Sequence, residues 1–168
     1  MIKDLVKNLK LSATLRMNEI SKELETQGKD LFKFGFGQSP FQVPEGVVSE
    51  LKNNAFQNKY LPMQGLPELR EAIANFVSKK KNYHYKTDNI LIGPGTKELM
   101  FLLQILFDGE VLLPSPSWVS YEPQAILGRN KVHWIETTRE KNWFPTASDI
   151  EKIISKNKKK NYLLFLNS

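Results

Sequence analysis

The amino-acid sequence predicts an α/β fold, a mainly parallel sheet flanked by helices, preceded by an N-terminal helical and extended segment. Two observations carry this. From residue 89 onward, short apolar runs at 90–92, 111–113, 132–135 and 162–166 alternate with helix-length segments at 96–107, 117–127 and 148–157. The runs are apolar on both faces, as strands of a covered parallel sheet are, and the intervening segments are long enough for right-handed crossovers. A third observation places the ligand edge: the glycine corner at Gly95 and the S-P-S-W segment both follow strands, and ligands of such sheets bind beyond the carboxyl ends of the strands.

The elements follow in order. Residues 12–27 carry Ala13, Met17, Ile20 and Leu24 at helical spacing, with Gly28 as a stop. One face of that helix is expected to pack. Residues 31–36 alternate apolar with basic or small residues like a short strand, and Q-S-P-F-Q-V-P is an extended linker. Pro44 opens a second helix with Val47, Val48, Leu51 and Ala55, and Pro67 opens a third, over 67–82, with Leu69, Ile73, Phe76 and Val77 on one side.

With 40% hydrophobic and 25% charged residues, the chain reads as an ordinary globular protein rather than a disordered one. The longest apolar run, 99–107, is interrupted by Gln104 and is too short to cross a bilayer, and no secretory h-region opens the chain. A cytoplasmic protein without membrane partners is expected. There is no cysteine, hence no disulfide framework or thiolate chemistry, and His84 and His133 alone do not make a zinc site of the usual kind. The net charge of +6 arises largely from Lys79, Lys80 and Lys81 and from Lys158, Lys159 and Lys160, each run at the end of a predicted helix. Without interleaved aromatics or a reading motif, these runs do not point to nucleic acid.

The most informative stretch is 89–107, N-I-L-I-G-P-G-T-K-E-L-M-F-L-L-Q-I-L-F: strand, glycine turn, helix. Gly93 and Gly95 permit a tight turn, and the amides and positive dipole end of the helix point out of it toward an anion. Thr96 adds a hydroxyl and Lys97 a charge. Such corners also contain glycine for structural reasons alone. The pattern is not a Walker A loop, and Glu98 occupies the third glycine position of a dinucleotide fingerprint. Trp118 sits just past a strand near the same mouth, either stacked on a bound aromatic ring or buried at a helix start. Tyr60, in a proline and glycine loop, reads as surface packing or as a phenolic donor.

Four collinear stretches, F-G-F-G-Q-S-P-F-Q-V-P, K-Y-L-P-M-Q-G-L-P-E-L-R-E-A-I-A, I-G-P-G-T-K-E-L and L-L-P-S-P-S-W-V-S-Y, make the chain closely resemble the class I and II aminotransferases, pyridoxal-phosphate enzymes of fold type I. The resemblance implies an incomplete large domain of that fold and pyridoxal 5'-phosphate as cofactor. It implies that Gly95, Thr96 and Lys97 cradle the cofactor phosphate, that Trp118 lies on the pyridine ring and that Gly37 meets the substrate carboxylate through its backbone amide. Tyr60 would reach the phosphate of a neighbouring subunit in a homodimer. The substrates implied are an amino acid and a 2-oxo acid.

The closing L-F-L-N-S resembles the family strand that runs into a P-x-N-P-[ST]-G loop. An N-terminal fragment is expected, with no catalytic residue of its own. The family's Schiff-base lysine, its aspartate on the pyridine nitrogen and its carboxylate-clamping arginine would lie beyond Ser168, so no turnover is expected of these residues alone. The resemblance also places the strand before Gly95 away from the next three strands, leaving it without a sheet neighbour. Two other readings stay open: a pyridoxal-phosphate lyase or synthase of the same fold, and a non-catalytic phosphate-binding module.

Overall fold

A computed structural model describes every residue except 1–3, 8, 10, 11, 36, 38, 158–160 and 168. The lysine run at 158–160 therefore lies outside the described residues. The helices are α1 (Asp4–Lys7), α2 (Ala13–Thr26), α3 (Glu45–Asn54), α4 (Pro67–Lys81), α5 (Thr96–Leu106), α6 (Tyr121–Leu127) and α7 (Ala147–Ile154). The strands are β1 (Glu110–Ser115), β2 (Val132–Glu136) and β3 (Tyr162–Leu164). Contacts divide the chain into two compact units, one of 1–36 with 97–168 and one of 37–96.

The first unit is built on a parallel sheet of order β2-β1-β3. Val111 lies opposite Val132 on one side and Leu163 on the other, so V-L-L occupies the middle of the sheet. Val111, Leu112 and Leu113 are at most 1% exposed, and a fully buried aliphatic side chain of this size contributes about 1.5–3 kcal/mol. Val111 and Leu113 share one face. There they pack with Tyr121 and Ala125 of α6, with Phe165 and with the half-buried Met100 of α5. At the head of β1, Glu110 meets His133 of β2, with 2.5 Å between Oε2 and Nε2.

Local chemistry accounts for the helix ends. In the second unit α4 takes Pro67 at its start, where a missing N–H costs nothing, and ends at Asn82 with a left-handed φ of 49°. Lys79, Lys80 and Lys81 stand in its last turn, toward the negative end of the helix dipole. In the first unit α7 opens with a reciprocal cap. The Thr146 hydroxyl accepts from the Asp149 amide while the Asp149 carboxylate accepts from the Thr146 amide.

Several elements differ from the sequence-based expectation. Residues 31–36 form no strand where they are described, and Phe32 and Phe34 lie exposed; among the described residues no strand pairs with them to take their backbone groups. Residues 90–92 form no strand either. The helix expected from 117 begins at Tyr121, after a cis Ser115–Pro116 bond and a turn, and the one expected at 148–157 ends at Ile154 and continues as a single 3-10 turn. On α2, Ile20 and Leu24 are half-buried while Met17 is exposed. On α4 the covered face holds Arg70, Ile73, Ala74 and Val77, and Phe76 is turned to solvent. Among the described residues, no helix is long and apolar enough to cross a membrane.

Candidate functional site

The first turn of α5 follows Gly95, whose φ of +117° is one that only glycine adopts without strain. A Cβ built there would meet no atom within 4 Å. Glycine is thus required by the backbone angle, not by crowding, and the space beside the turn is open. The first four amides of a helix have no acceptor within it, and the residue before α5, Gly95, has no side chain with which to cap them. Thr96 and Lys97 are exposed at this end. Open space, helix-end amides and a lysine together suit a phosphate monoester. Glu98 adds a carboxylate to the same turn, an opposing charge that an incoming anion must tolerate.

Trp118 stands in the turn between β1 and α6, about one third exposed. Its carbonyl accepts from the Tyr121 amide at 3.1 Å, which ties it to the start of α6. Its indole meets the Tyr121 ring edge-on, with centroids 5.3 Å apart and planes at 78°. Tyr121 in turn stacks on Phe165 at 4.8 Å, and its hydroxyl donates to Asn167 Oδ1 at 3.4 Å. Lys97 Nζ lies over the indole, 5.4 Å from the ring centroid. The structure therefore brings Lys97 and Trp118 together, with the indole partly exposed and packed edge-on against Tyr121 at the start of α6.

Two side chains that sequence reasoning passed over join these parts. Gln124 Nε2 donates to the Lys97 carbonyl at 2.9 Å, and Gln104 Nε2 donates to Gln124 Oε1 at 3.1 Å. The one signal available in the sequence was Gln104 itself, a lone amide inside the apolar run 99–107.

Gly37 and Tyr60 belong to the unit 37–96 and are placed within it. Gly37 is exposed, and a Cβ on it would meet nothing within 4 Å. The Tyr60 ring is fully exposed and has no hydrogen-bond partner among the described residues. In that unit the lead-in to the Gly93 and Gly95 turn is pinned by one side chain and one backbone hydrogen bond instead of a sheet. Arg70, 7% exposed, donates Nε to the Ile90 carbonyl and a terminal nitrogen to the Thr87 carbonyl, each at 2.9 Å. The Ile92 amide donates to the Gln64 carbonyl at 3.0 Å.

Known proteins share this plan. The family model described as aminotransferase class I and II matches residues 29–168. The aspartate aminotransferase of Bacillus sp. strain YM-2 is 34% identical over 155 residues, which cover 89% of this chain and 40% of that protein. A protein of Aquifex aeolicus described as a probable aspartate/prephenate aminotransferase is 35% identical over 161 residues, covering 92% of this chain and 40% of its own length. The solved structure of aspartate aminotransferase from Thermus thermophilus with maleate superposes with a TM-score of 0.80 at 30% identity, over 90% of this chain and 41% of that one. The chain spans about 40% of the length of the relatives it matches.

Proposed function

This chain belongs to the aminotransferase class I and II family, and from that premise we propose that the whole protein moves an amino group from an amino acid to a 2-oxo acid with pyridoxal 5'-phosphate. One observation carries the reading to the level of residues: the lysine in the first turn of α5 lies 5.4 Å from the centroid of the Trp118 ring. An anion seat and a flat aromatic surface thus adjoin, which is what a phosphorylated aromatic aldehyde demands. When bound, the cofactor supplies an electron sink for the carbon that carries the amino group.

The rest falls to this chain's residues. The amides after Gly95, the Thr96 hydroxyl and the Lys97 ammonium hold the phosphate, and Trp118 keeps the ring plane fixed. Gly37 offers its backbone amide to the substrate carboxylate. Tyr60, exposed in its own unit, is assigned to the phosphate of a partner subunit, so the working form is a homodimer. Residues 1–45 are assigned to a smaller domain and 46–168 to the cofactor-holding one. A cytoplasmic setting is part of the proposal. Aspartate is the amino donor to try first, because the Bacillus relative carries that name.

The test is amino transfer by the whole protein, followed as 2-oxo acid formed from aspartate with and without an added 2-oxo acid acceptor. Product that depends on the acceptor is expected. Product formed equally well without it would replace the transferase reading with a lyase one. Trp118→Ala and Thr96→Ala are each expected to weaken retention of pyridoxal phosphate about tenfold, the worth of a lost aromatic stacking or charged hydrogen bond. Unchanged retention in both would remove these assignments.

A further inference from the structure

We propose that Gln124, backed by Gln104, is a positioning residue that sets the anion-holding end of α5 against the segment carrying Trp118. The inference rests on the reading of that helix end as the phosphate seat. Its structural basis is a directed chain of two side-chain amides. Gln124 of α6 is 7% exposed and gives its Nε2 to the Lys97 carbonyl at 2.9 Å. Gln104 of α5 is fully buried and shares its Nε2 between the Met100 carbonyl at 3.3 Å and Gln124 Oε1 at 3.1 Å.

The partners fix the direction. Exchanging nitrogen and oxygen on Gln104 would turn an oxygen toward two acceptors, and the same exchange on Gln124 would face an oxygen to the Lys97 carbonyl. The arrangement leaves Gln104 Oε1 buried without a partner. An apolar side chain of similar size would fill the same space between α5 and α6 without an orphaned acceptor. Stability alone therefore does not explain the pair. What an apolar pair would lack is a donor aimed at one atom of the first turn of α5.

The same turn of α6 serves both halves of the site. Tyr121 and Gln124 are three residues apart and share one helix face. Tyr121 carries the Trp118 indole on its edge, while Gln124 grips the Lys97 carbonyl. A shift of α5 along α6 would break the second contact and leave the first. The amide is thereby the part that keeps the phosphate end and the ring surface in register.

The experiment uses the whole protein, whose affinity for pyridoxal phosphate and, separately, for pyridoxal is measured by equilibrium dialysis. Gln124→Met matches the length and lacks the N–H; it is expected to weaken pyridoxal phosphate about fivefold, the worth of one ordinary hydrogen bond, and to leave pyridoxal unchanged. Gln124→Glu keeps an acceptor for Gln104 but has no donor, and should show the same loss of preference. Gln104→Met should lose less, because Gln124 still has its donor.

A Gln124→Met chain that keeps the full preference for the phosphorylated ligand overturns the proposal. So does one that loses both ligands equally alongside a lowered melting temperature, which marks a purely structural role. If the parent chain itself shows no preference for pyridoxal phosphate over pyridoxal, the phosphate-seat reading fails first and the proposal falls with it.

Discussion

Residues 90–92 and 111–113 are almost the same string, I-L-I and V-L-L, yet they have opposite fates. The second is the centre of a sheet, with Val111 and Leu112 paired on both sides. The first forms no strand: Ile90 gives its carbonyl to Arg70, Ile92 its amide to Gln64, and Leu91 is more than half exposed. An apolar run records that burial is favourable. Whether it becomes a strand depends on neighbours with backbone groups to match, and each unit answers that separately.

The contrast is most easily broken by truncating one leucine in each region. Leu113→Ala is expected to cost about 2–5 kcal/mol, because a wholly buried side chain leaves a cavity against Tyr121 and Phe165. Leu91→Ala should stay within about 0.5 kcal/mol, as for an exposed site. Urea denaturation of both variants measures the difference, and equal costs would show the two runs to be equivalent after all.

Two further changes test whether contacts within the unit hold the lead-in at 87–92. Gly65 is buried with a φ of +104°, and a Cβ there would come within 2.5 Å of Ile92 Cβ. Gly65→Ala therefore combines a strained backbone with a collision, at about 3 kcal/mol. Arg70→Met is expected to cost about 2 kcal/mol by stranding the Ile90 and Thr87 carbonyls. In both variants amide exchange should accelerate over 87–92 and remain at the wild-type rate in β1. Uniform acceleration would mean that the lead-in is not held locally.

How much was legible in the sequence follows from the range of each interaction. The helices of the second half, the parallel direction of the strands and the tight turn at Gly95 rest on local periodicity and backbone chemistry, and they lie within a few residues of where the sequence predicts them. The resemblance assigns Lys97 and Trp118 to two ends of one cofactor, and the direct approach of Lys97 Nζ to the Trp118 ring is an observation of the structure alone. The roles of Arg70, Gln104 and Gln124 were not legible. Each is a polar residue whose partner lies 17 to 27 positions away, so its burial depends on packing that no short pattern encodes. Phe32, Phe34 and Phe76 fail in the opposite sense: their apolarity suggested packing, but nothing in the described structure covers them.

Helix ends give the comparison its finest test. The first turn of α5 follows Gly95, which has no side chain to close it, whereas α7 is closed by its own Thr146 and Asp149. Asp149 receives Lys141 Nζ at 2.8 Å together with the Thr146 hydroxyl at 2.7 Å. The hydrogen bond from Lys141, then those from Thr146, hold its carboxyl well below its ordinary value of 3.8. A carboxyl depressed on folding stabilises the native state above its unfolded value and loses that contribution as the pH falls below it. Asp149→Asn should therefore lower stability modestly at pH 7. The gap between wild type and variant should persist down to about pH 4 and close progressively in more acid solution. Denaturation at pH 7, 4 and 3 measures it. A gap that stays constant into acid would mean that the carboxylate charge contributes nothing at this helix end, and that α7 is held by packing against β2 alone.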